Sequence, residues 1–261
     1  MKKYNQVLDV GNTHIVMGVY SENELIRSWR LSTDKSKTED EYFSVIKHLL
    51  SENEIDIKNI VSIAMSSVVP NLTRVFEHLI QKYFFCSFII VDSSYELGLK
   101  FPMKDPGFIG ADLVVNAFAA KEKYKGNCII CDFGTATTIQ LVGADGFFYG
   151  TIISPGVITS AKNLFETASQ LSNIQLQKPE NILGTTTRDA LLSGILTGNT
   201  FMLDGFVESI RKEYEHLGKI KVIATGGIAE LICDNSKEVE IIDKHLTLDG
   251  LNLICQKHLH E

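Results

Sequence analysis

Two aspartates, each closing a hydrophobic run and each followed one residue later by glycine, carry the first chemical signal in this chain. Asp9 stands before Val10, Gly11, Asn12 and Thr13, and Asp132 before Phe133, Gly134 and Thr135. Glycine lets the backbone turn sharply and approach an oxyanion, and the amides that follow point inward as a nest. Asn12 and Thr13 add side-chain donors to the first turn, and Thr135, Thr137 and Thr138 to the second. A carboxylate repels phosphate but can hold Mg²⁺ or its water shell. The implied chemistry is the grip of a polyphosphate with its cation. The two aspartates lie 132 − 9 = 123 residues apart in a chain of 261, close to half its length. Strand-ending Asp-x-Gly turns are common, so either one alone is weak; the repetition implies two similar halves.

A third motif, Thr225-Gly226-Gly227-Ile228, follows an apolar run and opens a helical one. A glycine pair at such a junction lets a flat group lie against bare backbone at a helix start. A plain helix-initiating turn is the other reading. Other nucleotide and metal designs are absent: no G-x-x-x-x-G-K-[S/T], no G-x-G-x-x-G after a strand, and no H-E-x-x-H or paired C-x-x-C spacing. Cys128 and Cys131 do form one C-x-x-C string, but residues three apart on a strand face opposite sides. Core packing therefore explains that pair better than zinc or a disulfide.

Bulk properties narrow the class. A net charge of −7 and no basic stripe argue against a nucleic-acid surface. The balance of 44% hydrophobic and 22% charged residues is that of an ordinary globular protein. Five cysteines, an odd number without framework spacing, fit a reducing compartment. The N-terminus runs directly into a strand, without the apolar block of a signal peptide, and no run of about 18 apolar residues is visible. The expectation is a cytoplasmic protein with no membrane partner.

The elements that must position these turns follow from periodicity. Residues 5–10, 14–20 and 24–31 read as three successive strands. A helix from Thr38 carries an apolar face of Phe43, Ile46, Leu49 and Leu50, and Pro70 opens a second with Leu72, Val75, Phe76, Leu79 and Ile80. Strands at 60–65 and 88–91 belong to this half. Residues 92–109, with two prolines and two glycines and no clean period, form a long loop of the kind that is usually functional. A helix covers 110–124. The second half repeats the grammar, with strands at 127–132, 136–142 and 147–153, a helix from Val157, and a helical stretch over 187–215 interrupted by Gly194, Gly198 and Gly205. A strand at 221–224, a short helix at 228–233, a strand at 239–242 and a helix at 248–259 finish it. Three strands followed by alternating helix and strand, written twice, predict an α/β protein of two mixed-sheet domains, 1–118 and 119–261.

Together the two turns and the glycine pair resemble the actin-like (ribonuclease H-like) ATPase superfamily, in which ATP lies in a cleft between two such domains. The segments 29–30, 37–42, 66–70, 110–112, 132–138, 154–156, 193–194, 224–227 and 246–251 further resemble, in order, the type III pantothenate kinases. That resemblance implies ATP-dependent phosphorylation of pantothenate to 4'-phosphopantothenate, the first step of coenzyme A biosynthesis. It implies Asp112 as general base and an ATP segment of Asp9, Val10, Gly11, Asn12, Thr13, His14, Ile15 and Val16, joined by Thr135, Gly226 and Gly227. Asp132 is implied as ligand of a monovalent cation, K⁺ or NH₄⁺, with Mg²⁺ accompanying ATP on the Asp9 side. The acceptor contacts are implied at Gly110, Ala111, Asp112, Leu113, Met103 and Thr187, in a pocket at a homodimer interface. Read without the family, Asp112 is equally a first-turn helix acid favoured by the macrodipole.

The resemblance breaks at two of those positions. The family pattern Gly-Ala-Asp-Arg ends here in Leu113, and Met103 stands where a tyrosine is usual. Losing a charged and a neutral hydrogen bond amounts to about 3–4 kcal/mol. Lys100 and Lys104 are the cations nearest Met103 in sequence. A kinase of the same fold acting on another small hydroxyl compound, and a non-catalytic nucleotide-binding regulator, are the competing readings.

Overall fold

A computed structural model describes residues 2–102, 107, 109–167 and 175–258. Met103 and Lys104 lie outside the described residues. The chain divides into two compact units: residues 1–98, 103–119 and 246–261 form the first, and 99–102 with 120–245 the second.

The first unit is built on a five-stranded sheet from β1 (Tyr4–Val10), β2 (His14–Ser21), β3 (Glu24–Ser32), β4 (Ile60–Ser67) and β5 (Ser87–Val91), in spatial order β3-β2-β1-β4-β5. The first three strands meander antiparallel, and β4 and β5 join parallel to β1. Parallel pairing requires crossovers, and helices supply them: α1 (Glu39–Glu52) and α2 (Pro70–Tyr83). Thr38 starts α1 through a complete capping box with Glu41, and Pro70 starts α2 at its first turn, where a missing N–H costs nothing. Tyr42, Ile46 and Leu50 of α1 are buried at a spacing of four, while Phe43 and Leu49 of the expected apolar face are only partly covered. They meet Leu72, Phe76, Leu79 and Ile80 of α2 over Ile63 and Met65 of β4. Each such side chain contributes about 1.5–3 kcal/mol on burial. The first stretch of α3 (Ala111–Tyr124) and all of α8 (Leu246–His258) also belong to this unit. α8 lies against β1, β2 and β4.

The second unit repeats the plan: β6 (Asn127–Phe133), β7 (Ala136–Val142), β8 (Phe148–Pro155), β9 (Ile220–Thr225) and β10 (Ile241–Ile242), in order β10-β9-β6-β7-β8. Again three strands run antiparallel and two join parallel. Its helices are α4 (Val157–Thr167), α5 (Thr187–Leu192), α6 (Gly198–Glu213) and α7 (Ala229–Cys233). Cys128 and Cys131 are free thiols buried in β6, as their strand spacing implies. Burial pushes the Cys131 thiol well above its usual value and that of Cys233 to about 12, so neither is a nucleophile or thiolate ligand at neutral pH.

Three expectations need correction. Gly194, Gly198 and Gly205 do not interrupt the long helix; a π-helical turn, Ser193–Thr197, joins α5 to α6 and carries the first of them. The buried Leu192, Leu196, Leu203 and Val207 hold the stretch to the core and outweigh the low propensity of glycine. That stretch, Thr187–Glu213, is also long and apolar enough to pass for a membrane span, with polar residues interspersed among the apolar ones. The strand expected over 239–242 shrinks to two residues, flanked by single bonds from Glu240 N–H to Val222 O (3.0 Å) and Asp243 N–H to Ala224 O (2.8 Å).

Candidate active site: two strand-end turns and a half-buried aspartate

In the first unit β1 ends at Val10 and β2 begins at His14, and Gly11 N–H donates to His14 O at 3.0 Å to close the turn. A Cβ at Gly11 would sit 3.0 Å from that same oxygen, so a side chain there would press on the turn itself. Val10 and Ile15 are wholly buried in the core. Within the expected ATP segment they can reach a ligand only through backbone, whereas Asn12, Thr13 and His14 are exposed. Residues that local sequence patterns did not single out hold the turn. Thr33, just past β3, donates its hydroxyl to Gly11 O (2.6 Å) and its N–H to Thr13 O (3.0 Å). Lys35 Nζ reaches Asn12 Oδ1 at 3.4 Å. The loop carrying them is pinned by the buried Tyr42, whose hydroxyl donates to Asp34 O (2.8 Å) and accepts from Asp34 N–H (3.0 Å).

Asp112 occupies the first turn of α3 in the same unit. Its Oδ1 accepts from the Leu113 N–H at 2.8 Å. The carboxylate is folded back over Gly110: a Cβ there would lie 2.4 Å from Asp112 Oδ1. Glycine at 110 therefore makes room for the acid two residues later. Desolvation raises the Asp112 carboxyl above the usual aspartate range, against the opposing pull of the Leu113 and Asp112 amides. An acid shifted toward neutrality by burial suits proton abstraction. Val68 ties this corner to the turn, donating its N–H to Val10 O (3.1 Å) while its Cγ1 lies 3.5 Å from where a Gly110 Cβ would stand. Leu113 is buried. α3 is seated by α8: Thr247 Oγ1 donates to Asn116 Oδ1 (2.7 Å), and Gly250 lies so close that a Cβ would come within 2.8 Å of Ala119 Cβ. Tyr20 OH donates to Asp249 Oδ1 at 2.6 Å. The motif at 246–251 is thus the seat of the helix that carries Asp112.

In the second unit β6 ends on Asp132 and Phe133, and Gly134 N–H donates to Ala136 O at 3.0 Å. Gly134 and Thr135 are exposed. The carbonyl of Thr135 accepts from Gly156 N–H (3.2 Å) and from the Thr159 hydroxyl (3.0 Å), so the start of α4 braces this turn. Gly156 must be glycine, since a Cβ would lie 2.2 Å from Thr135 O and 2.6 Å from Gly134 O. Gly226, at φ 98°, is equally committed: a Cβ would meet the Phe133 backbone at 2.6 Å and Asp132 Oδ1 at 2.7 Å. Its bareness brings the end of β9 against the end of β6, while Gly227 is exposed beside it. Thr187 is the exposed first residue of α5, next to the capping Thr186, on a different stretch of this unit from the turn. Lys100 pairs with Asp145 at 2.9 Å, which engages it on the β7–β8 hairpin.

The model of the type III pantothenate kinase family matches residues 6–209. The chain belongs to the type III pantothenate kinase family. The type III pantothenate kinase of Exiguobacterium sibiricum is 41% identical over 97% of this chain and 98% of its own length. That of Halalkalibacterium halodurans is 40% identical over 97% and 99%. Among solved structures, a ROK family glucokinase from Streptomyces griseus, in complex with glucose and AMPPNP, aligns with a TM-score of 0.55 at 9% identity, over 97% of this chain and 99% of its own. That likeness concerns the fold, and with the two five-stranded mixed sheets it bears out the expected α/β class.

Carboxylate donors of this kind fit the Mg²⁺ that usually accompanies a kinase's ATP. Asp9 and Asp132 are carboxylates at strand ends with hydroxyl residues close by in sequence. Among the described residues no three His, Cys, Asp or Glu side chains gather into an all-protein metal cage. A sparse set of oxygen ligands completed by water and phosphate is the way Mg²⁺ is usually held.

Proposed function

We propose that this protein transfers the γ-phosphoryl group of ATP to the primary hydroxyl of pantothenate, yielding 4'-phosphopantothenate for coenzyme A synthesis. The observation that carries the reading is the Asp112 carboxylate, desolvated, raised in pKa and folded over Gly110 on a helix seated by α8. Phosphoryl transfer asks little covalent help from a protein beyond positioning and charge stabilisation. Asp112 takes the acceptor's hydroxyl proton as the oxygen bonds to the γ-phosphorus and the bond from that phosphorus to the β,γ-bridging oxygen breaks, releasing ADP. The amides and side chains of Asn12 and Thr13, and those of Thr135, donate to nucleotide phosphates, and Gly11 and Gly134 let the two turns approach them. Asp9 would hold Mg²⁺ through its water shell and Asp132 a monovalent cation, K⁺ or NH₄⁺; Mg²⁺, when bound, would neutralise phosphate charge. Val10, Ile15 and Val16 line this segment through backbone, and Gly226 and Gly227 serve the nucleotide base side.

The acceptor contacts in this reading are Gly110, Ala111, Leu113, Met103 and Thr187, in a cytoplasmic homodimer whose interface completes the pocket. Ile153, Ile158, Leu164, Ile182, Leu183 and Phe201 are exposed apolar side chains of the second unit that such an interface could cover. Leu113 favours a second reading, a kinase of the same fold with a less anionic acceptor, because its buried side chain offers no cation to a carboxylate.

A coupled ADP-release assay with and without pantothenate, on the native chain and on Leu113→Arg, separates the two. Pantothenate-stimulated release from the native chain is the expected result. Stimulation confined to Leu113→Arg overturns pantothenate as acceptor and leaves the kinase reading standing.

A further inference from the structure

β1 and β4 run parallel, and their register sets Asp9 beside Ser66. Ser66 Oγ donates to Asp9 Oδ1 at 2.7 Å. Four residues back on the same strands the arrangement recurs, with Ser62 Oγ donating to Asn5 Oδ1 at 2.6 Å. Alternation along a strand puts both rungs on one face of the sheet. The inner rung is closed from the other side, Asn5 Nδ2 donating to Asn252 Oδ1 of α8 at 2.9 Å, and its members are all buried. It is a structural tie.

The outer rung differs in kind. Ser66 is fully buried, yet its partner is a half-buried carboxylate at the strand end, next to the turn that closes on Gly11. A buried hydroxyl needs a partner, and an alanine in this strand would need none. The bond from hydroxyl to carboxylate is of the strong, charge-assisted kind. It also settles an orientation, because the terminal torsion of aspartate is otherwise broad and nearly two-fold. The second unit repeats the register: the buried Thr225 of β9 lies opposite Asp132 of β6.

We infer that Ser66 is a positioning residue, holding one oxygen of Asp9 so that the carboxylate presents a single orientation to the magnesium of the bound nucleotide. This rests on the reading of Asp9 as the magnesium-side carboxylate. Asp9 acts on the metal's water shell, and Ser66 acts only through Asp9.

Calorimetric binding of a non-hydrolysable ATP analogue to the full chain, with magnesium and with EDTA, tests it. Ser66→Ala is expected to weaken binding roughly tenfold with magnesium and less than about twofold in EDTA, the loss typical of removing a partner of a metal-side ligand. Asp9→Asn is expected to abolish most of the magnesium-dependent gain. If Asp9→Asn keeps that gain, the reading of Asp9 itself is wrong. If Asp9→Asn loses it while Ser66→Ala does not, or if Ser66→Ala loses affinity equally in both conditions, the role of Ser66 is wrong and that of Asp9 survives. Should Ser66→Ala fail to fold, Ser66→Cys, with a poorer donor of similar size, carries the same comparison, and an undiminished magnesium-dependent gain in it overturns the proposal.

Discussion

The turn after β1 and the turn after β6 share their letters, yet different neighbours hold them. Each has an aspartate at the strand end, a glycine whose N–H closes the turn at 3.0 Å, and a threonine hydroxyl donating to a turn carbonyl. In the first unit that threonine is Thr33, beyond an edge strand, and its N–H also bonds the turn. In the second it is Thr159, in the first turn of α4, aided by the Gly156 amide. The first turn is therefore braced within its own sheet and the second by a helix. The glycine demands follow suit. Gly11 is tight against its own turn and Gly134 is not, whereas Gly156 and Gly226 bear the close approaches in the second unit. A duplicated motif fixes the backbone of the turn but not the scaffold behind it.

The largest effect should come from what only the first unit possesses. Asp112→Asn is expected to lower kcat by roughly 10²–10⁴, as loss of a general base does. The sign for stability is opposite. A carboxyl raised in the fold favours its protonated form there, so its contribution is present at low pH and lost as pH rises through the folded pKa. At neutral pH the buried charge destabilises, and Asp112→Asn should raise the melting temperature. For the same reason the acid limb of kcat/KM should fall off at a higher pH than an unshifted aspartate would give, and a pH–rate profile checks it.

Gly156→Ala comes next. Its Cβ would stand 2.2 Å from a backbone oxygen, and relief requires moving the second turn or α4. Destabilisation of about 3 kcal/mol or more in a denaturant melt is expected, with loss of turnover. A silent Gly156→Ala would break the claim that α4 braces this turn.

Gly11→Ala and Gly134→Ala sharpen the contrast. The first meets His14 O at 3.0 Å and should cost stability of about 1 kcal/mol; the second meets only ordinary contacts of 3.5 and 3.8 Å and should melt within about 0.5 kcal/mol of the parent. A raised KM for ATP in Gly134→Ala would then report the ligand rather than the fold. Equal melting losses in the two would erase the distinction. The smallest effects belong to Thr33→Val and Thr159→Val, each removing one hydrogen bond worth about 1 kcal/mol, read by chemical denaturation.

Local signals explain how much of this was visible beforehand. The strand-end turns, the start of α1 at Thr38 and of α2 at Pro70 depend on residues within a few positions, and the structure repeats them. The glycines at 110 and 226 were visible as motifs, but not what they accommodate: Asp112 Oδ1 and the backbone of Phe133. Ser66, Thr33 and Thr159 stood outside the reading of the turns because their partners lie 57, 22 and 24 residues away. Strand order brings Ser66 and Thr33 to their partners and the packing of α4 brings Thr159 to its own, and periodicity gives neither. The π-helical turn at 193–197 has no local signature either; buried leucines around it override its glycines.

The seat of α3 has a consequence for synthesis. A ribosome that has delivered residues 1–119 has made every strand of the first sheet, but not the helix whose Thr247, Asp249 and Gly250 lock onto Asn116, Tyr20 and Ala119. Residues 120–245 of the second unit must emerge before residues 246–258 arrive to complete the first. The half made first is the half finished last.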